Sequence, residues 1–268
     1  MVMLATIAQE ATSSGVDARW DAGGPAWLGA LDVYGPWVLL AAVLIMLVRA
    51  ALLRGRFRAR GVLDAGDQQR VLEELAAVER TTVGEIVPVV LERSDRHPGA
   101  SWLSALVTTV IGTLLFEGLL FARHDALLLV AVQVGLGLLG YVAAAAFPAW
   151  KRMFVSEKRA SEMAEEQAFQ EFYGLGLHNT QGKTGVLIFV SLLEKRVIVL
   201  GDTGINEKVA PELWQDVDRA ILAGIVGGSL SQGLIDGIRA SGKVLAEHFP
   251  VTDDDWNEIP DRLVVRKE

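Results

Sequence analysis

Three stretches of the chain, 33–53, 102–121 and 126–147, are almost free of charged side chains. Each matches the roughly 20 apolar residues that a helix needs to cross a bilayer core. Backbone groups in lipid bond only within their own segment, so each stretch reads as a transmembrane helix. Pro36 is tolerated in the opening turn of the first, and Arg49 can snorkel to the interface. Only Ala122, Arg123, His124 and Asp125 separate the second from the third. So short a link predicts an antiparallel helical hairpin over 102–147 that returns the chain to the side it left.

The polar segments carry shorter periods. In 61–99, Asp64 is a candidate N-cap, and Val71, Leu72, Leu75 and Val78 recur at helical spacing before a strand over 85–91. Pro88 lies inside that strand and cannot donate to a ladder, which predicts an edge position or a bulge. After the third span, 156–173 reads as a polar helix continuing out of the membrane from Lys151, with Ala160, Ala164, Ala168 and Phe172 along one stripe. The runs 185–191 and 196–201 are apolar on both faces, which predicts two adjacent central strands covered by helices. One helix is expected from Pro211, and another from Ser229, which forms a capping box with Gln232. Gly233 and Gly237 lie one turn apart on the latter and allow close approach of a neighbour. The segment 251–268 is expected to run over the surface as a C-terminal tail.

A strand and helix before the hairpin have nothing to cover their second face. The segments 61–95 and 151–250 are therefore expected to fold as one domain, with the hairpin inserted between them.

Orientation follows from the basic residues near helix ends, which stay on the cytoplasmic side. Arg49, Arg54, Arg56, Arg58 and Arg60 follow the first span; Arg93 and Arg96 precede the second; Lys151, Arg152, Lys158 and Arg159 follow the third. All three groups fall on one side. The segment 1–32 is then extracytoplasmic, and the domain and C-terminus face the cytoplasm at an inner membrane. Trp27, Trp37, Trp102 and Trp150 sit where interfacial aromatic belts are expected. Met1 to Glu10 lack the basic region of a cleaved signal peptide, so the first span reads as a retained anchor.

Composition agrees. The 268 residues are 51% hydrophobic yet 22% charged, with a net charge of -8, so polar and apolar sequence must be segregated along the chain. The absence of cysteine excludes disulfides, thiolate zinc sites and a Cys nucleophile. The basic stretch 49–60 abuts a span and reads as a topology signal on anionic headgroups; nucleic acid is not an expected partner.

The motifs TVGEIVPV (82–89), TGVLIFVS (184–191), EKRVIVLGD (194–202) and Gly204-Ile205 resemble the TPM domain family. The resemblance is closest to bacterial integral-membrane members with a hydrophobic hairpin inside the domain. It implies an α/β/α sandwich around a small, mostly four-stranded sheet. It also implies accessory or maintenance roles for membrane complexes, with phosphatase-like activity and divalent-cation binding as further family properties.

Candidate chemistry is sparse. Glu85 and Asp202 lie at a strand start and a strand end, where two carboxylates could hold Ca or Mg or act as acid and base. The plainer reading is a pair of solvated turn residues, with Asp202 capping the turn before Gly204. Gly182-Lys183-Thr184 is not a phosphate loop, because its glycine spacing is wrong and it leads into a strand instead of a helix. Glu117 lies near the end of a span within reach of Arg123 or His124, an interfacial ion pair. Gln133 is expected to bond to a neighbouring helix, and Ala131, Gly135, Gly137 and Gly140 offer a small-residue face for packing within the chain or between copies. His97, His124, His178 and His248 show no metal spacing, and Asp253 to Asp255 form a solvated acidic run. The function these features favour is a membrane-anchored accessory protein with a membrane-protein partner; the alternative is a metal-dependent phosphatase-like hydrolase.

Overall fold

A computed structural model describes residues 59–120, 126–252 and 257–267, with isolated positions between 45 and 57. The first apolar span, the environment of Glu117, the 121–125 link and the acidic run Asp253 to Asp255 lie outside the described residues. The described residues of 105–141 form one compact unit, and those of 49–104 with 142–268 form another.

The larger unit is a mixed α/β fold. Its helices are α1 (Ala65–Glu79), α4 (Glu157–Gly174), α5 (Pro211–Val226) and α6 (Leu230–His248), and its strands are β1 (Glu85–Leu91), β2 (Gly185–Ser191), β3 (Arg196–Gly201) and β4 (Val264–Arg266). The sheet order is β3-β2-β1-β4, with β1 parallel to both β2 and β4 and β3 antiparallel to β2. Val89 lies opposite Phe189, so strands on either side of the apolar helices are direct neighbours.

Side chains alternate across the sheet. Ile86, Val90, Val186 and Ile188 face a layer supplied by Val71 and Leu75 of α1, Val217 and Ile221 of α5, and Leu234, Ile238 and Leu245 of α6. Val87, Val89, Leu187 and Phe189 face Ala164, Ala168 and Phe172 of α4, with Leu177 and Ile259. The alanines bring α4 close to the sheet, as their stripe predicts. Ala160, on the same stripe, packs instead with Ala100 and Val155.

Both N-caps form, but the expected capping box at Ser229 is only half made, because the Gln232 side chain donates to Asp236 at 2.8 Å instead of returning to the Ser229 N–H. The Asp64 side chain accepts from the Asp67 N–H at 2.7 Å, and the Ser229 hydroxyl accepts from the Gln232 N–H at 3.1 Å.

Four expectations are corrected. First, β3 is an edge strand, not a central one. Its two-sided apolar pattern reflects α4 and α5 packed over its faces, which requires cover but not a second neighbouring strand. Second, Pro88 lies in a fully buried strand between two partners. The Glu85 N–H points to β2, donating to the Thr184 carbonyl, while the Ile86 N–H points away and donates to Glu79. Alternation turns the Pro88 nitrogen to that second side, and β4 pairs only from Val89 onward, so no ladder bond is lost. Third, the tail is not a surface strap: Val264–Arg266 supplies the fourth strand and Ile259 is buried. Fourth, the chain does not run as one helix from Lys151; a single turn, Pro148–Arg152, precedes a break, and Ser156 caps α4 afresh.

Helices α2 (Pro98–Leu120) and α3 (Ala126–Ala146), of which 105–120 and 126–141 lie in the smaller unit, are long and apolar enough to cross a membrane. Both carry large exposed apolar side chains, among them Leu114, Leu127 and Val134. They pack through small residues: Leu136 fills the place a side chain would take at Gly112, and Gly137 sits against Thr109. The contact at Gln133 is made by its carbonyl, 3.5 Å from the Thr109 hydroxyl.

In the larger unit α5 and α6 approach backbone to backbone. A Cβ at Gly233 would stand 2.6 Å from the Ile221 carbonyl oxygen, a backbone atom with no rotamer to yield. Gly233→Ala is expected to cost about 1–3 kcal/mol, as overpacking does. Urea or thermal unfolding of the full chain in detergent measures this, and wild-type stability would contradict the contact.

An acidic cleft at the starting end of the central strands

β1 and β2 run in the same direction, so the sheet has a starting end and a finishing end. At the starting end α1 terminates and the chain turns through Thr82, Val83 and Gly84 into β1. The Thr82 hydroxyl ties this turn to α6 by donating to the Phe249 carbonyl at 2.6 Å and accepting from the Gly84 N–H at 3.1 Å. The segment leading to β4 crosses the same end, where the Glu258 N–H donates to Glu85 Oε1 at 2.8 Å and the Glu258 carboxylate accepts from the Gln181 N–H at 2.9 Å.

These elements enclose a cleft of about 420 Å³ lined by Ala76, Glu79, Arg80, Thr82, Gly84, Glu85, Val251, Asn257 and Asp261. Glu79 Oε1 accepts the Ile86 N–H at 3.3 Å, while Oε2 is buried without a conventional donor. Burial raises the Glu79 pKa from 4.5 to about 9, with the Asp261 carboxylate adding to the rise, Glu85 adding less, and the Ile86 N–H opposing it. The neutral acid resolves the orphan, since a protonated Oε2 donates to Asp261. The Asn257 side-chain amide also donates to Asp261.

Asp202 lies at the same end of the sheet but beyond β2. Its N–H donates to the Gly185 carbonyl at 2.9 Å, and its Oδ1 accepts the Thr203 N–H at 2.7 Å, capping the turn Thr203–Asn206. Oδ2 is buried with no protein partner. Glu85 pairs with Gly185 from the opposite side, so two strand spacings, roughly 10 Å, separate the backbones of Glu85 and Asp202. The carboxylates gathered around Glu85 are Glu79 and Asp261. Among the described residues no group of three or more His, Asp or Glu side chains is arranged to hold a metal ion. The Gly182-Lys183-Thr184 loop lashes strand starts together: the Thr184 N–H donates to the Thr180 hydroxyl at 2.9 Å, and the Thr184 hydroxyl donates to the Val83 carbonyl at 3.1 Å.

The finishing end holds a polar cluster that sequence reasoning missed. Glu194, fully buried in the turn between β2 and β3, accepts from His97 Nε2 at 2.6 Å, from the Ser94 N–H at 3.1 Å and from the Ser191 hydroxyl. Burial alone would raise the Glu194 pKa, but these donors outweigh it and hold the carboxyl below its ordinary value. The carboxylate stands between hydroxyl and imidazole, so the set clasps the chain entering α2 to the β2–β3 turn and does not activate a nucleophile. Lys151 extends the clasp by donating to the Arg96 carbonyl at 2.7 Å, and Trp150 Nε1 donates to the Ser104 hydroxyl at 2.8 Å. No spacing signal could mark His97 and Glu194 as partners, because they are 97 positions apart.

No family model and no curated protein matches the chain. Its structure is similar to the NMR structure of the BA42 protein from the psychrophilic bacterium Bizionia argentinensis, at 22% identity and a TM-score of 0.47, covering 76% of this chain and 94% of that one.

Glu79 gives the cleft a pH signature. Its folded pKa lies above the unfolded value, so the folded state holds the extra proton and stability falls as pH rises from about 4.5 towards 9. Glu79→Gln keeps the donor to Asp261 and removes the titration. It is expected to raise stability by on the order of 1–3 kcal/mol at pH 8 and by much less at pH 5. Unfolding midpoints of both forms across this range test it; a gain that does not depend on pH would contradict a buried neutral Glu79.

Proposed function

We propose that the chain is a membrane-anchored accessory protein, with an α/β unit of the TPM type on the cytoplasmic side. Three transmembrane helices, 33–53 and the hairpin 102–147, hold it at the inner membrane, with the N-terminus outside. One observation supports this reading: the chain leaves the sheet where β1 finishes, at Leu91, whereas the acidic cleft lies where β1 starts, at Glu85. α2 begins seven residues after β1 finishes. α3 returns by way of Pro148–Arg152 to the start of α4, which Arg196 at the beginning of β3 holds through Ser161 and Glu157. A cleft of this kind on an anchored module suits presentation of Glu85 and Asp261 to a basic segment of a membrane-protein partner. The small residues of α2 and α3 give a route to self-association through the membrane helices.

A second reading, a phosphatase-like hydrolase that uses Ca or Mg, draws on Asp202, only 7% exposed and with a buried oxygen that no protein donor meets. Glu85 and Asp202 are its candidate cation ligands.

The two readings separate experimentally. A photo-crosslinking residue at the exposed rim position Arg80 of the full chain in cells is expected to form an adduct with another membrane protein. Loss of that adduct on Asp261→Lys ties it to the cleft, and absence of any membrane-protein adduct contradicts the accessory reading. Magnesium-dependent turnover of a phosphomonoester that is lost in Asp202→Asn would establish the hydrolase instead.

A further inference from the structure

The last turn of α5 breaks the usual surface pattern. Val226 is 86% exposed and Leu222, one turn before it, is 47% exposed, so two aliphatic side chains point to solvent at the tip of a helix pair whose other face is core. They border a largely apolar groove of about 510 Å³ that Val197, Leu192 and Ile225 also line, with Lys195 and Arg196 at its margin. Val190, Ser191 and Leu192 belong to the same groove, which places it at the finishing end of the sheet.

The charges of this end are arranged to match. Lys195 is exposed and held by a left-handed backbone, φ 55°, in the β2–β3 turn. Lys158, in the first turn of α4, has a side chain 86% exposed. Of the neighbouring acids, Glu157 pairs with Arg152 and Arg196, Asp67 pairs with Arg70 and accepts from the Ser231 hydroxyl, and Glu194 is buried, while Asp64 is exposed and caps α1. Exposed aliphatics beside lysines match the boundary between headgroups and acyl chains of an anionic leaflet.

We infer that the turn between α5 and α6 is a peripheral membrane contact, with Leu222 and Val226 at the acyl boundary and Lys195 on anionic headgroups. It rests on the membrane-anchored reading above, and it gives the α/β unit a lipid contact separate from its spans.

The chain has no cysteine, so single labels are unambiguous. Val226→Cys, Leu128→Cys on the exposed side of α3 and Glu207→Cys near the starting end each receive a bimane fluorophore in the full-length protein, reconstituted into vesicles with lipids nitroxide-labelled high on the acyl chain. The label at position 226 is expected to be quenched several-fold more than the label at 207, with the difference shrinking when anionic lipid is replaced by phosphatidylcholine. If 128 is quenched and 226 behaves like 207, the lipid contact is overturned and the anchor stands. If 128 is not quenched either, the membrane reading itself falls. Crosslinking between the 226 positions of two chains would show that a second copy covers the turn, and quenching indifferent to lipid charge would overturn the role given to Lys195.

Discussion

The fold depends on one pairing, the parallel ladder between β1 and β2, in which every partner is 100 positions away in sequence. The helix and strand before the apolar segments have one covered face, and β2 with β3 lacks the strand that completes the inner layer. Joined, they make a sheet whose two middle strands are buried throughout. Loop-closure cost rises only slowly with length, and two helices that pack against each other return the chain to its starting point, so the long excursion is compatible with a tight ladder.

From that pairing the rest follows by direction. Because β1 and β2 are parallel, a chain that leaves where β1 finishes has to return to where β2 starts, and α4 makes that crossing over one face of the sheet. The finishing end is locked by a buried carboxylate with several donors, a geometry in which loss of one partner leaves the others unsatisfied. The starting end is built from acids packed together, one of which stays neutral to be accommodated. One end of the sheet is thus closed by a buried charged cluster, and the other carries an open cleft lined by acids.

Local features were legible in the sequence because their causes are local. Asp64 and Ser229 cap helices, the alanines of α4 touch the sheet, and Gly233 admits α5, each as residue type and spacing foretold. Features decided by distant neighbours were not. The place of β3 at an edge depends on which strand lies beyond it, and the tolerance of Pro88 depends on where β4 begins. Leu263, Val264 and Val265 form an apolar triplet between Arg262 and Arg266, a signal too short to read as a strand without β1 beside it. Of the two acids singled out, Glu85 does line a cleft, but its companions, Glu79 and Asp261, come from a helix end and the C-terminal segment. Sequence spacing could not bring these together.

The central claim is that β1 and β2 form one cooperative ladder across the apolar excursion. Native-state hydrogen exchange of the full chain in detergent, with rising urea, tests it most directly, because residues in one cooperative unit open with one free energy. The account predicts that the amides of Val87 and Val89 exchange with the same opening free energy and urea dependence as those of Leu187 and Phe189. Free exchange at Val87 and Val89 while Leu187 and Phe189 stay protected would contradict it.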